Sequence, residues 1–175
     1  IVSSGNCGYY GSIAIESQGK AHVSYYDATN TDLRYANNVN GDWEAVTVAG
    51  ASGDVGQYTS IAIDSNDKVH ISFYDQTNGK ISYANNTDGT FHTTTLTSLT
   101  SVGWYTSIGL DYLDHVHIAY FDYTNFDLKY MTNDADYWRV SFVDWIGDVG
   151  RSASMAVDSN GDPHIVYLDS SNSVL

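Results

Sequence analysis

The sequence predicts an all-β chain assembled from repeated four-stranded antiparallel blades. Three observations carry this. Several residue types recur in one register. Each recurrence brackets short β-rich runs separated by turn residues. No segment carries the 3.6-residue apolar period of an amphipathic helix. The register is plain in His22, His70, His117 and His164, spaced by 48, 47 and 47 residues. Ser12, Ser60, Ser107 and Ser154 stand ten residues before them, and Asp27, Asp75, Asp122 and Asp169 five after. Tyr35, Tyr83 and Tyr130 keep the same period, as do Trp43, Phe91 and Trp138. Four short strands in every ~47 residues is the signature of a β-propeller, whose blades cover one another's faces.

Residues 57–99 show the elements in order. Tyr58–Ile63 reads as a first strand, closed by the turn Ser65-Asn66-Asp67-Lys68. Val69–Tyr74 alternates and is rich in β-branched and aromatic residues, as a second strand requires. Gln76-Thr77-Asn78-Gly79 is a turn, Lys80–Ala84 a third strand, Thr87-Asp88-Gly89 a turn, and Phe91–Leu96 a fourth strand. The single proline, Pro163, is expected to begin a strand, where its missing N–H costs least. The repeats fall at about 5–52, 53–99, 100–146 and 147–175, the last incomplete, with 1–4 read as the outer strand of a preceding blade. That is about 3.7 blades. A ring of roughly six to eight blades is the expectation, the remainder coming from a longer chain or a second copy. An unclosed stack would leave edges and an apolar face open to oligomerisation.

Seven Lys and Arg stand against 21 Asp and Glu, a net charge of −14. Such a surface repels phosphate backbones and anionic lipid, so nucleic acid is excluded as a partner. No apolar run approaches the ~20 residues of a membrane span, and no membrane insertion is expected. One cysteine, Cys7, allows no internal disulfide. Few lysines with many Asn, Thr, Ser and Tyr point to an extracellular or cell-surface setting.

The runs Ser-Ile-Ala-Ile-Asp-Ser-Asn (60–66), His-Ile-Ser-Phe-Tyr-Asp (70–75) and Ile-Ser-Tyr-Ala (81–84) resemble a repeat common in bacterial and archaeal secreted or surface proteins. That repeat is similar to the BNR/sialidase-like and lectin-like propellers. The resemblance implies the propeller fold over the whole chain. The Asp-box of sialidases, Ser-x-Asp-x-Gly-x-x-Trp, is matched in position by residues 38–43 and 86–91, which keep the Gly and the aromatic but misplace the Asp. The only arginines are Arg34, Arg139 and Arg151, so the arginine trio of sialidases cannot be assembled.

Ser, His and Asp in every repeat invite a catalytic-triad reading. Fourfold repetition argues for scaffold instead: a buried histidine bridging a strand hydroxyl to a turn aspartate, as in the similar-looking WD40 propellers. Histidines on separate blades cannot converge on one ion, so no metal is expected there. The turns at Asp64 and Asp158 resemble short calcium loops, leaving Ca²⁺ as the one candidate cofactor. Candidate ligand-binding residues lie on the two loops at one end of each blade: Tyr10, Tyr58, Trp104 and Tyr105 before the first strands, and Asp27, Asp75, Asp122 and Asp169 after the second. Aromatic plates beside hydroxyl-binding carboxylates suit a sugar. The expected function is therefore a non-catalytic module binding carbohydrate or a surface partner. The alternatives are a glycoside hydrolase or lyase and a structural repeat of a larger surface protein. An enzyme should break the repeat's symmetry, and Arg151, in place of Gln57 and Trp104, is the clear break.

Overall fold

A computed structural model describes residues 5–50, 53–97, 102–135 and 137–175. The expected outer strand at 1–4 lies outside the described residues. The first blade contains β1 (Cys7–Ile15), β2 (Ala21–Asp27), β3 (Asp32–Asn37) and β4 (Glu44–Ala49). The second contains β5 (Val55–Ile63), β6 (Val69–Asp75), β7 (Lys80–Asn85) and β8 (His92–Thr95). The third contains β9 (Val102–Leu110), β10 (Val116–Asp122), β11 (Asp127–Thr132) and β12 (Arg139–Asp144). β13 (Val149–Val157) and β14 (Pro163–Asp169) form a two-stranded start of a fourth. Every sheet is an antiparallel meander in chain order, so the chain is a β-propeller of the predicted class. Pro163 begins β14.

β1 packs on β5, β5 on β9 and β9 on β13, so the first strands line the axis. The fourth strands lie mostly exposed at the rim. Between the first and second blades Leu33 and Tyr35 meet Ile61, Val69, Ile71 and Phe73. Between the second and third, Ile81 and Tyr83 meet Ile108, Val116, Ile118 and Tyr120. Both faces of β6 and β10 are fully buried, as strands covered on two sides must be. The first strand starts at Val55, earlier than the expected Tyr58, because a bulge interrupts its alternation and hides the pairing from a period-two reading.

The expected Ser–His–Asp network is not the one that forms. His22 and Asp27 lie on the same strand, five residues apart. An odd separation puts their side chains on opposite faces, about 16 Å apart along the strand. The three residues instead do three separate jobs. Each histidine spans a hairpin turn and the third strand. His70 lies 2.5 Å through Nδ1 from the Tyr83 hydroxyl and 3.3 Å through Nε2 from Asp64. His22 does the same with Tyr35 at 2.5 Å and Glu16 at 3.0 Å. His117 keeps Tyr130 at 2.5 Å, but Asp111 is claimed by His115 at 2.8 Å and stands 3.6 Å away. His164 keeps only the carboxylate, Asp158 at 3.3 Å, and is exposed.

The serines tie blade to blade. Ser12 Oγ accepts from Ile61 N at 3.2 Å, Ser60 Oγ from Ile108 N at 3.2 Å, and Ser107 Oγ from Met155 N at 2.9 Å. Ser154 is exposed. The turn carboxylates considered for calcium are engaged by N–H donors. Asp64 Oδ1 accepts from Asn66 N and Lys68 N, and Asp158 Oδ1 from Asn160 N and Asp162 N. Asp67 and Asp114 each accept the backbone N–H and the hydroxyl of a serine in the preceding blade, Ser17 and Ser65.

Candidate ligand-binding face

Each first strand opens on a glycine followed by two larger residues: Gly8-Tyr9-Tyr10, Gly56-Gln57-Tyr58, Gly103-Trp104-Tyr105 and Gly150-Arg151-Ser152. The glycine at 56 has φ +105°, and a Cβ there would lie 2.6 Å from the Cα of Leu33 in the preceding blade. Tyr10, Tyr58, Tyr105 and Ser152 have φ of 52–54°, a left-handed conformation that L-residues avoid. Together these residues make a bulge, seen as the register jump from Gln57↔Tyr74 to Ser60↔Ser72. The bulge re-aims the aromatic side chains into one row.

That row crosses three blades. Tyr10 and Tyr58 lie 4.5 Å apart between ring centroids, and Tyr58 and Tyr105 4.9 Å. Trp104 stacks on Tyr58 at 5.5 Å and on Tyr123 at 4.4 Å. Tyr123 meets Phe126 at 5.7 Å, and the Arg151 guanidinium sits 4.8 Å from the Phe121 centroid. Tyr10, Tyr123 and Phe126 are exposed on the row. Burial pushes the Tyr58 phenol well above its ordinary range, and the Tyr10 and Tyr105 phenols add to it.

Polar groups flank the row. Tyr26 donates to Asp54 Oδ1 at 2.8 Å, and Gln57 Nε2 donates to the same oxygen at 3.2 Å. Burial and the Asp54 contact push the Tyr26 hydroxyl up to about 12. At the equivalent place in the fourth blade, Arg151 donates to Asp148 from Nε at 2.9 Å and from a terminal nitrogen at 3.0 Å.

The structure thus brings together Tyr10, Tyr58, Trp104 and Tyr105, while the four aspartates are engaged within their own turns. Asp27, Asp75, Asp122 and Asp169 each accept from the side-chain amide of the asparagine three residues on, Asn30, Asn78, Asn125 and Asn172, at 2.7–2.9 Å. They brace their own turns. Asp27, Asp75 and Asp122 are buried. Asn30 and the backbone N–H groups hold the Asp27 carboxyl below its usual range against the cost of burial. Sequence reasoning left Tyr123 out of the site. The signal for it was a departure from the repeat, since the same position elsewhere is Ala28, Gln76 and Ser170.

No family model and no curated protein matches the chain. Solved structures do match, and they show the fold. A protein of unknown function from Dyadobacter fermentans superposes with a TM-score of 0.70 at 12% identity, over 92% of this chain and 52% of its own. The intramolecular trans-sialidase of Ruminococcus gnavus gives 0.58 at 15% identity, over 89% of this chain and 37% of its own. A fucose lectin from Kordia zhangzhouensis, solved with methyl-fucoside, gives 0.53 at 20% identity, over 75% of this chain and 96% of its own. The chain therefore spans about half or less of the first two and nearly all of the lectin. Among the described residues no helix is long and apolar enough to cross a membrane.

Proposed function

We propose that the chain is a non-catalytic, lectin-like carbohydrate-binding part of a propeller, holding sugar rings against the aromatic row. The carrying observation is the row itself: Tyr10, Tyr58, Trp104 and Tyr123 linked at 4.4–5.5 Å across three blades, with exposed ring area at both ends. Sugar C–H faces pack on aromatic plates, and flanking amides and hydroxyls take the sugar's O–H groups. The carboxylates that flank the aromatic row or close its turns favour binding over glycoside hydrolysis. Asp54 is held by Tyr26 and Gln57, Asp148 by Arg151, and the four turn aspartates by their asparagines. A hydrolase needs two carboxyl groups free to face one bond. The resemblance to a fucose lectin supports the same reading. An extracellular or cell-surface setting suits such a module. Further blades, from a longer chain or a second copy, would complete the ring and multiply weak sites into avidity.

A glycan array followed by NMR titration tests this. Saturable binding that shifts the Trp104 indole, reduced at least tenfold by Tyr123→Ala, is expected. An empty array across neutral and acidic glycans would sink it.

A further inference from the structure

The rim of the third blade carries a hollow of about 570 Å³, lined by Asn125, Asp127, Phe142 and Trp145 and by no residue of the aromatic row. Asp127 opens β11, paired directly with Asp122 at the end of β10. It is only 6% exposed, and among the described residues no group donates a hydrogen bond to its carboxylate. The neighbouring cation is already committed, because Lys129 Nζ lies 2.5 Å from Asp122 Oδ2. Asp144, which accepts from the Tyr167 hydroxyl and from Ile146 N, also lies near enough to act on Asp127, so carboxylates outnumber the single ammonium here. Burial raises the Asp127 carboxyl above its usual range; Lys129 opposes this, and Asp122 and Asp144 add to it. The Asp127 carboxylate oxygens reach the hollow rather than closing into the core, so the donor they lack has to come from what the hollow admits.

Beside it stands an aromatic corner. The Phe142 and Trp145 rings meet at 83° with centroids 6.2 Å apart. The Lys129 ammonium already lies 4.7 Å from the Phe142 centroid, so this ring accepts cations. Trp145 is 62% exposed, and indole is the strongest cation–π partner. The other blades lack the combination. In the first blade Asp32 holds the place of Asp127, but Gly50 holds that of Trp145, and the chain closes over the carboxylate so tightly that a Cβ on Gly50 would fall 1.7 Å from Asp32 Oδ1. In the second, Lys80 replaces the aspartate.

We propose that this hollow binds an organic ammonium ion that retains an N–H, its charge seated against Trp145 and Phe142 and its N–H donated to Asp127. The N–H requirement follows from the missing donor. The ammonium follows from the surplus of carboxylate and from the rings, and the chain's net charge of −14 draws cations to it.

NMR titration with n-butylammonium chloride at pH 7 and low salt is the test, read at the Trp145 indole and the Asn125 and Asp127 amides. Weak saturable binding is expected, falling with added salt and weakened about tenfold by Trp145→Ala, a change at an exposed side chain that leaves the fold intact. Asp127→Asn should weaken it similarly. Tetramethylammonium, which has no N–H, should bind less well. Absence of saturable shifts in the wild type, undiminished binding by Trp145→Ala, or a methyl glycoside seating here in preference to butylammonium would each overturn the proposal. Glycans on the aromatic row are read at Trp104, so either site can fail alone.

Discussion

The second, third and fourth blades each meet the one before through a glycine, Gly56, Gly103 and Gly150, where a Cβ would clash. At Gly103 a Cβ would lie 2.5 Å from the Cβ of Ile81 and 2.8 Å from its Cα, and φ is +109°. Alanine there meets both strain and a clash with strand β7, which cannot move without carrying its blade. Strain of this kind costs about 1–3 kcal/mol and overpacking a similar amount, so Gly103→Ala should destabilise by about 3 kcal/mol or more. Gly8 occupies the same place in the first blade with φ +95°, but a Cβ there would meet nothing within 4 Å. Gly8→Ala should therefore cost only the strain, about 1–2 kcal/mol. Urea melts of the two variants compare them directly, and equal losses would mean that the blade-to-blade approach is not what demands glycine. The serines offer a second contrast. Ser60→Ala leaves the Ile108 N–H without its acceptor and should cost about 1–2 kcal/mol, whereas Ser154→Ala, at an exposed position, should stay within about 0.5 kcal/mol.

The hairpin strands are held by the histidine rungs. In the second blade the geometry suits a neutral ring, with the Tyr83 hydroxyl donating to Nδ1 and Nε2–H donating to Asp64. Burial lowers the His70 pKa, and Asp64 opposes this without overcoming it. The unfolded chain, with its imidazole near about 6.5, therefore takes up the proton first as pH falls. The rung's stabilisation is fully present above that value and is lost as pH falls below it toward the folded-state pKa. Thermal melts of the wild type at pH 7.5 and 5.5 should show this loss, and His70→Gln should flatten it. The carboxylates held below their usual range, such as Asp122 beside Lys129, lose their contribution only at still lower pH. Tyr83→Phe strands a buried ring nitrogen and should cost about 1–3 kcal/mol. The register of these elements was legible in the sequence because every blade meets the same demands at its second and third strands. The partners were not. A spacing of ten and five residues looks like one network until strand alternation separates its members, and Tyr35, Tyr83 and Tyr130 lie in the sequence as repeat markers with nothing to say they face the histidines. The aromatic row was half legible. Its repeated members announced themselves through the glycine before them, but Tyr123 breaks the repeat, as do Phe142 and Trp145 of the separate hollow, so no recurrence marked them.

At the scale of the whole molecule, one repeat position appears in two states. Ile61 is 6% exposed because β1 packs over it. Ile13, the same residue one blade earlier, is 64% exposed, with Ile15 beside it equally open. Substituting a polar residue for Ile61 both loses buried apolar area and strands a hydroxyl, so Ile61→Ser should cost about 3 kcal/mol or more. The double change Ile13→Ser and Ile15→Thr should leave unfolding unchanged within about 0.5 kcal/mol. Its effect should fall on association. The face around Ile13 has the chemistry of the faces that join the blades within the chain, and Gly8, at the repeat position of Gly56 and Gly103, lies on the same strand. Contact through it buries apolar area that water otherwise covers, at about 25 cal/mol per Å². Light scattering over a concentration series should show the wild-type mass climbing above that of the monomer and the double variant staying at it. A wild type that remains monomeric at high concentration would mean that the open face alone, without the rest of a ring to orient it, cannot hold a neighbour.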